Sequence, residues 1–105
     1  MKIYKFDLGA LSNLLHNPNT VLLDLPVSGF QILDAQLMGE DANVFIWVLA
    51  DFATPGETNP YETVVFEAFG TGWDIPEEYA EGHIKTFLVP NELTTYVWHL
   101  FGKKQ

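Results

Sequence analysis

Short runs of β-forming residues recur along the whole chain, separated by the glycine, proline, asparagine and acidic residues typical of turns. These runs occupy residues 2–8, 20–25, 31–38, 44–50, 63–69, 83–89 and 95–101. Helical character is limited to residues 10–16 and to a short helix from Asp74 to residue 80, because Asp74 and Glu77 have the spacing of a helix N-cap. About seven strands with hairpin-length connections predict an all-β, mostly antiparallel fold, either a sandwich or a curled barrel.

Two of these runs predict a hairpin at the centre of the fold. Residues 31–38 alternate, with Leu33, Ala35 and Leu37 on one face, as in a strand that is buried on one side. Residues 44–50 are continuously apolar, which is typical of a central strand covered on both faces. The connection at 39–43 is short and polar, so we expect the two strands to pair antiparallel.

Length and composition indicate one globular domain. The chain has 105 residues, of which 48% are hydrophobic, so we expect a single domain over residues 1–105 with a packed core. It has no cysteine, which excludes disulfides and thiolate metal sites and fits a reducing compartment. No apolar run approaches the roughly 20 residues that cross a bilayer, so we expect a cytoplasmic protein with neither a membrane span nor a signal peptide.

Charge is the most unusual bulk property of the chain. Fourteen acidic residues face five lysines and no arginine, which gives a formal net charge of −9. The lysines are Lys2, Lys5, Lys85, Lys103 and Lys104, so a long central stretch carries no base. Nucleic-acid binding needs a track of basic residues, so we do not expect this chain to bind nucleic acid. An acidic surface either keeps the protein soluble or binds a basic protein partner.

Several short motifs follow one another along the chain: Ile3-Tyr4-Lys5-Phe6, Leu25-Pro26, Ile32-Leu33-Asp34-Ala35-Gln36, Trp47-Val48-Leu49-Ala50-Asp51, Phe69-Gly70-Thr71-Gly72, Ile75-Pro76, His83-Ile84-Lys85-Thr86 and Val97-Trp98-His99-Leu100-Phe101. In these motifs the chain resembles a family of small uncharacterised proteins found in phages and prophages. The resemblance implies a viral origin and a compact domain, and it brings no activity with it. Glu62 and Glu67 depart from the family pattern, where basic residues are expected, and this weakens an argument for anion binding.

The segment Gly70-Thr71-Gly72 is the leading candidate for a ligand contact. Glycines let backbone amides approach a phosphate closely and present several N–H groups together. The segment is not a P-loop, because no lysine follows the glycines. The alternative is a glycine bend that simply ends a strand.

Aromatic side chains flank this segment. Phe69 and Trp73 offer flat surfaces on which a nucleotide base can stack, and Trp98 is a third candidate. Alternation places Trp98 with Tyr96 and Leu100 on one face of a strand, so core packing explains Trp98 without a ligand. Trp73 lies in a predicted loop, where both interpretations stay open.

Two histidines, His83 and His99, fall on the last two predicted strands and face one another if those strands pair. The spacings typical of zinc sites are absent, so we favour hydrogen-bonded histidines over metal ligands. Catalysis has less support still. Ser12 and Ser28 lie outside any nucleophile elbow, and the chain has no cysteine nucleophile.

These observations predict a non-enzymatic protein without a cofactor. The first hypothesis is a phage counter-defence protein, acting as a homo-oligomer in the cytoplasm of an infected bacterial host, that sequesters a small nucleotide-type immune signal. The amides of Gly70 to Trp73, with Lys85, would contact phosphate, and His83 and His99 would line the same site. A second hypothesis is an acidic inhibitor that occupies a basic site on a host or defence enzyme. A third is a small virion or morphogenesis component.

Overall fold

The computed structural model describes residues 1–15, 21–25, 27–52, 62–90 and 92–104. Its strands are β1 (Lys2–Ala10), β2 (Val21–Leu25), β3 (Val27–Met38), β4 (Asn43–Phe52), β5 (Glu62–Gly70), β6 (His83–Pro90) and β7 (Thr95–Lys104). Helical structure in these ranges is limited to α1 (Leu11–Leu14) and a 3₁₀ helix (Glu77–Tyr79). The all-β prediction is confirmed. Most of the predicted loop at 51–60 lies outside the described residues, as does His16 at the end of the predicted helical stretch.

The strands form two antiparallel sheets. One has the order β1-β4-β3 and the other the order β2-β5-β7-β6. The predicted hairpin is confirmed, because β3 pairs antiparallel with β4 and Leu37 lies opposite Val44. Strand β4 is central, as expected, but only one of its faces is fully buried: Val44, Ile46 and Val48 are inaccessible, whereas the residues between them are half-buried.

A β-bulge changes the predicted face of β3. The register shifts between Ile32 and Asp34, so Ile32 lies opposite Val48 and Ala35 lies opposite Ile46. The extra residue, Leu33, is 43% exposed rather than buried with Ala35. Strict alternation fails here because a bulge places two residues against one on the partner strand.

One hydrophobic core joins the two sheets, which therefore form a sandwich. Its buried members come from α1 and from strands of both sheets: Leu8, Leu11, Leu14, Ala35, Val44, Ile46, Val48, Ala50, Val64, Phe66, Ala68, Phe87 and Leu100. Tyr4 and Phe6 pack against this core with Leu8, which confirms the predicted inward face of β1.

A second, smaller cluster lies on the outer side of the four-stranded sheet. It contains Val65, Phe69, Tyr79 and Phe101. Tyr79 belongs to the connection between β5 and β6, residues 71–82, which we call the strap. The apolar outward residues of β5 and β7 need a cover, and Tyr79, only 3% exposed, supplies it.

The helix in the strap is shorter than predicted and starts later. Helical structure starts after Pro76 and is a single 3₁₀ turn, with no side-chain cap. Asp74 is therefore not an N-cap. The reason is Pro76, because helical backbone angles are disfavoured for the residue before a proline, and Pro76 itself has a ψ of 137°, outside the helical range. None of the helices in the described part of the chain has the length and apolar character needed to cross a membrane.

Gly82 is expected to be essential for stability. A Cβ at this position would collide with the backbone carbonyl oxygen of Gly102, whose amide donates a hydrogen bond to Gly82. We expect Gly82→Ala to lower the free energy of unfolding by about 2–3 kcal/mol, measured by urea denaturation. Gly29→Ala is the control, since a Cβ there meets no atom within 4 Å. Equal midpoints for both variants would contradict the close approach of the two glycine backbones.

Candidate functional site

The Gly70–Trp73 segment is a tight turn that ends β5. The amide of Trp73 donates to the carbonyl of Gly70 at 3.1 Å, and Gly72 has a φ of 88°. A positive φ confined to the third residue defines a type II turn, in which glycine is favoured. The Trp73 amide therefore donates its hydrogen bond within the turn. It is not available to a phosphate, although the sequence predicted that the amides of Gly70 to Trp73 would contact one.

Trp73 folds back onto this turn and joins two other aromatic rings. A Cβ on Gly70 would lie 2.8 Å from Cε2 of Trp73, so glycine is needed for the indole to sit there. Trp73 meets Trp98 edge to face with ring centroids 5.6 Å apart, and Trp98 stacks with Tyr96 at 6.0 Å. We call Trp73, Tyr96 and Trp98 the aromatic cluster. Trp98 packs partly against the core, whereas Trp73 and Tyr96 are 49% and 47% exposed.

A cavity of about 430 Å³ opens beside the aromatic cluster. Its walls are the three rings together with Gly70, Thr71, Thr94, Thr95 and Val97. All of these groups are uncharged. Ring faces and hydroxyl groups can bind a planar or cationic ligand, but the lining has no cation with which to bind a phosphate.

Phe69 lies away from this cavity. Neighbouring residues of a strand face opposite sides of the sheet, so Phe69 points outward where Gly70 points inward. Phe69 is 6% exposed and meets Tyr79 and Phe101 edge to face, at 5.6 and 5.7 Å. Phe69 belongs to the cluster beneath the strap and does not line the 430 Å³ cavity, although it lines a smaller cavity together with Trp73.

The two histidines come together as the sequence predicts. Strands β6 and β7 pair, and the rings of His83 and His99 lie 6.1 Å apart. The Thr86 hydroxyl lies between them, 2.9 Å from Nε2 of His83 and 3.0 Å from Nδ1 of His99. The Thr71 hydroxyl lies 2.9 Å from Nε2 of His99. A hydrogen-bonded chain thus links the histidines to the glycine turn. No described group of three His, Asp or Glu side chains is placed to hold a metal.

Lys85 is held on the other side of the sheet. It lies opposite Leu100, a core residue, and its ammonium donates to Asp34 of the three-stranded sheet at 2.9 Å. The hydrogen bond from Lys85 lowers the pKa of Asp34 below its ordinary value. Lys85 therefore links the two sheets and does not line the cavity at Trp73. The predicted ligand-binding set is divided between two faces of one sheet.

Glu67 is a buried acid that sequence reasoning did not single out as such. It is 7% exposed, and burial raises its pKa despite a hydrogen bond from Tyr79 and the charge of Lys103. Burial and the nearby carboxylates raise the pKa of Tyr79 to about 12. A cavity of about 220 Å³ beside Glu67 is lined partly by Trp73 and Asp74. The sequence signal was an acid between Val65 and Phe69 on a strand face that is otherwise apolar.

Two antiparallel sheets around one core, with an aromatic cavity at one end, define a small β-sandwich. The chain matches the model of a family described as Domain of unknown function (DUF7352) over residues 1–105, and it belongs to that family. A search of the curated proteins and of the solved structures finds no match to the chain. This membership confirms the expectation that the chain belongs to an uncharacterised family.

Glu67 gives the fold a specific dependence on pH. A carboxyl with a higher pKa in the folded chain than its ordinary value of 4.5 binds more protons when folded, so its contribution to stability falls as the pH rises above that value. We expect Glu67→Gln to unfold at higher urea concentration than the wild type at pH 7, with the advantage shrinking towards pH 4. The exposed Glu92→Gln is the control. A Glu67→Gln variant that is less stable at pH 7 would contradict a destabilising buried charge.

Proposed function

We propose that this protein is a non-enzymatic binding protein that occupies a basic site on another protein. The observation that supports this is the strap. Asp74, Glu77, Glu78 and Glu81 are all exposed on it, and they are four of the 14 acids of the chain. Within the described residues only Glu78 among them forms an ion pair, with Lys103 at 2.8 Å. Such a concentration of carboxylates favours a cationic partner and speeds encounter with it.

Exposed apolar groups accompany these acids. Trp73 and Ile75 are large hydrophobic side chains that stay accessible at the start of the strap. Protein interfaces combine a few aromatic anchors, which supply most of the binding energy, with a polar rim that sets specificity. The strap offers both components in one continuous segment.

The strap is also held in place before any partner arrives. Tyr79 is buried under it, the Gly82 amide donates to the Tyr79 carbonyl at 2.8 Å, and the Gly102 amide donates to Gly82 at 3.0 Å. A segment fixed in this way loses little conformational freedom on binding, which improves affinity. The resemblance to phage proteins supplies the context for the proposal: the partner is a host or defence enzyme in the cytoplasm of an infected bacterium.

Neutralising the strap tests this proposal. The bait is the whole protein, used to capture proteins from a bacterial lysate at low and at half-molar salt. We expect a basic protein to be retained at low salt and released at high salt, because exposed charges are screened over about 8–10 Å at physiological ionic strength. The double variant Glu77→Gln/Glu81→Gln should lose this protein.

The matched control is Glu40→Gln/Asp41→Asn, which removes the same charge from an exposed turn of the other sheet. It should retain the captured protein. Loss with both double variants would indicate a response to net charge alone. Capture that is equal for the strap variant and the wild type would remove the proposal.

Sequestration of a small nucleotide signal is the second candidate, and the cavity at the aromatic cluster favours it. The cavity size suits a base or a nucleoside, and Trp73 offers an exposed ring for stacking. The position of Lys85 argues against nucleotide sequestration, because the ammonium group of Lys85 is paired with Asp34. A nucleotide bound at Trp73 would need another source of positive charge.

Self-association is part of this second candidate, and β6 is the strand best suited to it. Strand β6 lies at one edge of the four-stranded sheet and contains no acidic residue, although the chain has a net charge of −9. The side chain of its Leu88 is 68% exposed. An exposed apolar edge strand tends to pair with another edge. Two copies joined through β6 would extend the sheet where electrostatic repulsion between them is weakest.

Native mass spectrometry tests both parts of the second candidate. The protein is measured alone and with cyclic dinucleotides, cyclic oligonucleotides and ADP-ribose derivatives. A dimer that gains one compound in fixed stoichiometry, with affinity lost in Trp73→Ala, would establish sequestration. A species that binds none of these compounds would remove this candidate.

A further inference from the structure

We infer that the cavity at the aromatic cluster receives the guanidinium of a partner arginine. This inference rests on the proposed function and names the side chain that would anchor the basic partner. It follows from the chemistry of the lining, the field around the cavity and the hydrogen-bonding groups at its edge.

The lining attracts a cation through its ring faces. Two indoles and one phenol form most of the wall, and Trp73 and Tyr96 are each about half exposed to an approaching group. Tryptophan is the best of the aromatic side chains for cation–π contacts, and arginine makes such contacts more often than lysine. The rings of Tyr96 and Trp98 stack 20° apart with their centroids at 6.0 Å. No base fits between them, because a base between two rings needs a separation of about 7 Å, which is two contacts of about 3.5 Å.

The electrostatic field around the cavity has the same preference. None of the residues that line the cavity carries a charge. Asp74 directly follows Trp73, and Glu92 lies two residues before Thr94; both carboxylates are exposed. The net charge of −9 attracts cations to the molecule and repels phosphates.

Hydroxyl groups at the edge of the cavity distinguish arginine from lysine. Thr94 and Thr95 line it, and their hydroxyl oxygens can accept hydrogen bonds, whereas the Thr71 hydroxyl is already bonded to His99. A guanidinium lying flat on a ring directs its five N–H donors outward in the ring plane, towards such acceptors. A lysine ammonium is a compact, strongly hydrated charge and makes less use of a flat platform.

The chain provides its own spectroscopic reporters for this inference. It has three tryptophans, Trp47, Trp73 and Trp98, so a ¹⁵N correlation spectrum of the folded protein contains three indole N–H signals. Trp47 belongs to β4 of the other sheet and does not line the cavity. A ligand in the cavity should move the Trp73 and Trp98 signals and leave Trp47 unchanged.

The probe is N-acetyl-arginine amide, titrated into the full chain at low salt. The comparison compounds are the citrulline amide, which has almost the same shape without the charge, the lysine amide, and adenosine. We expect the arginine compound to bind at least about fivefold more tightly than the citrulline compound, because a cation–π contact contributes only when the charge is present. Equal binding of citrulline, or tighter binding of adenosine, would overturn the inference in favour of an uncharged planar ligand.

Variants separate this inference from the proposed function. Trp73→Ala should abolish the shift at Trp98, whereas Trp47→Phe should retain it. Glu77→Gln/Glu81→Gln should bind the arginine probe within about twofold of the wild type, since those carboxylates do not line the cavity. Unchanged probe binding in Trp73→Ala would overturn the inference. A protein captured through the strap, without any response to arginine, would leave the proposed function standing and this inference refuted.

Discussion

Tyr79 determines the arrangement of everything on the outer side of the four-stranded sheet. Its ring is buried against Phe69 and Phe101, and its hydroxyl donates to the buried carboxylate of Glu67. Without this ring, the apolar outward residues of β5 and β7 would be exposed to water. Because Tyr79 fixes the middle of the strap, both ends of the strap are constrained. At one end of the strap the Trp73 side chain packs against Gly70, and at the other end Gly82 lies close to the backbone of Gly102.

The pleat of the sheet explains why the predicted ligand-binding residues lie on two different faces. Residues opposite one another in paired strands share a face. Phe69, His99 and Thr86 form one outward row, whereas Gly70, Trp98 and Phe87 form the next, inward row. A motif of adjacent residues such as Phe69-Gly70 thus serves two surfaces. The bond between Thr71 and His99 is the point at which the two predicted halves meet.

The strands and the hairpin were predictable because β-propensity and alternation are local properties. The contact between His83 and His99 was predictable for the same reason, once β6 and β7 were expected to pair. Three features were not local. The bulge at Leu33 depends on the register with β4, the use of Lys85 depends on Asp34 in the other sheet, and the role of Tyr96 depends on the return of Trp73. Each requires contacts between residues distant in sequence.

The distribution of charge decides between the ligands that the cavity can accept on size alone. A base and a guanidinium are both flat, and the exposed ring of Trp73 suits either. A nucleotide brings phosphates, which need cations, and the lysines of this sheet are already engaged: Lys85 with Asp34, Lys103 with Glu78 and Lys104 with the ring of Phe30. An arginine carries the charge opposite to the net charge of −9, and the exposed Asp74 directly follows Trp73 of the cavity wall. In the proposed function the acidic strap attracts a basic partner, and the aromatic cavity, to which the strap contributes Trp73, holds a single side chain of that partner.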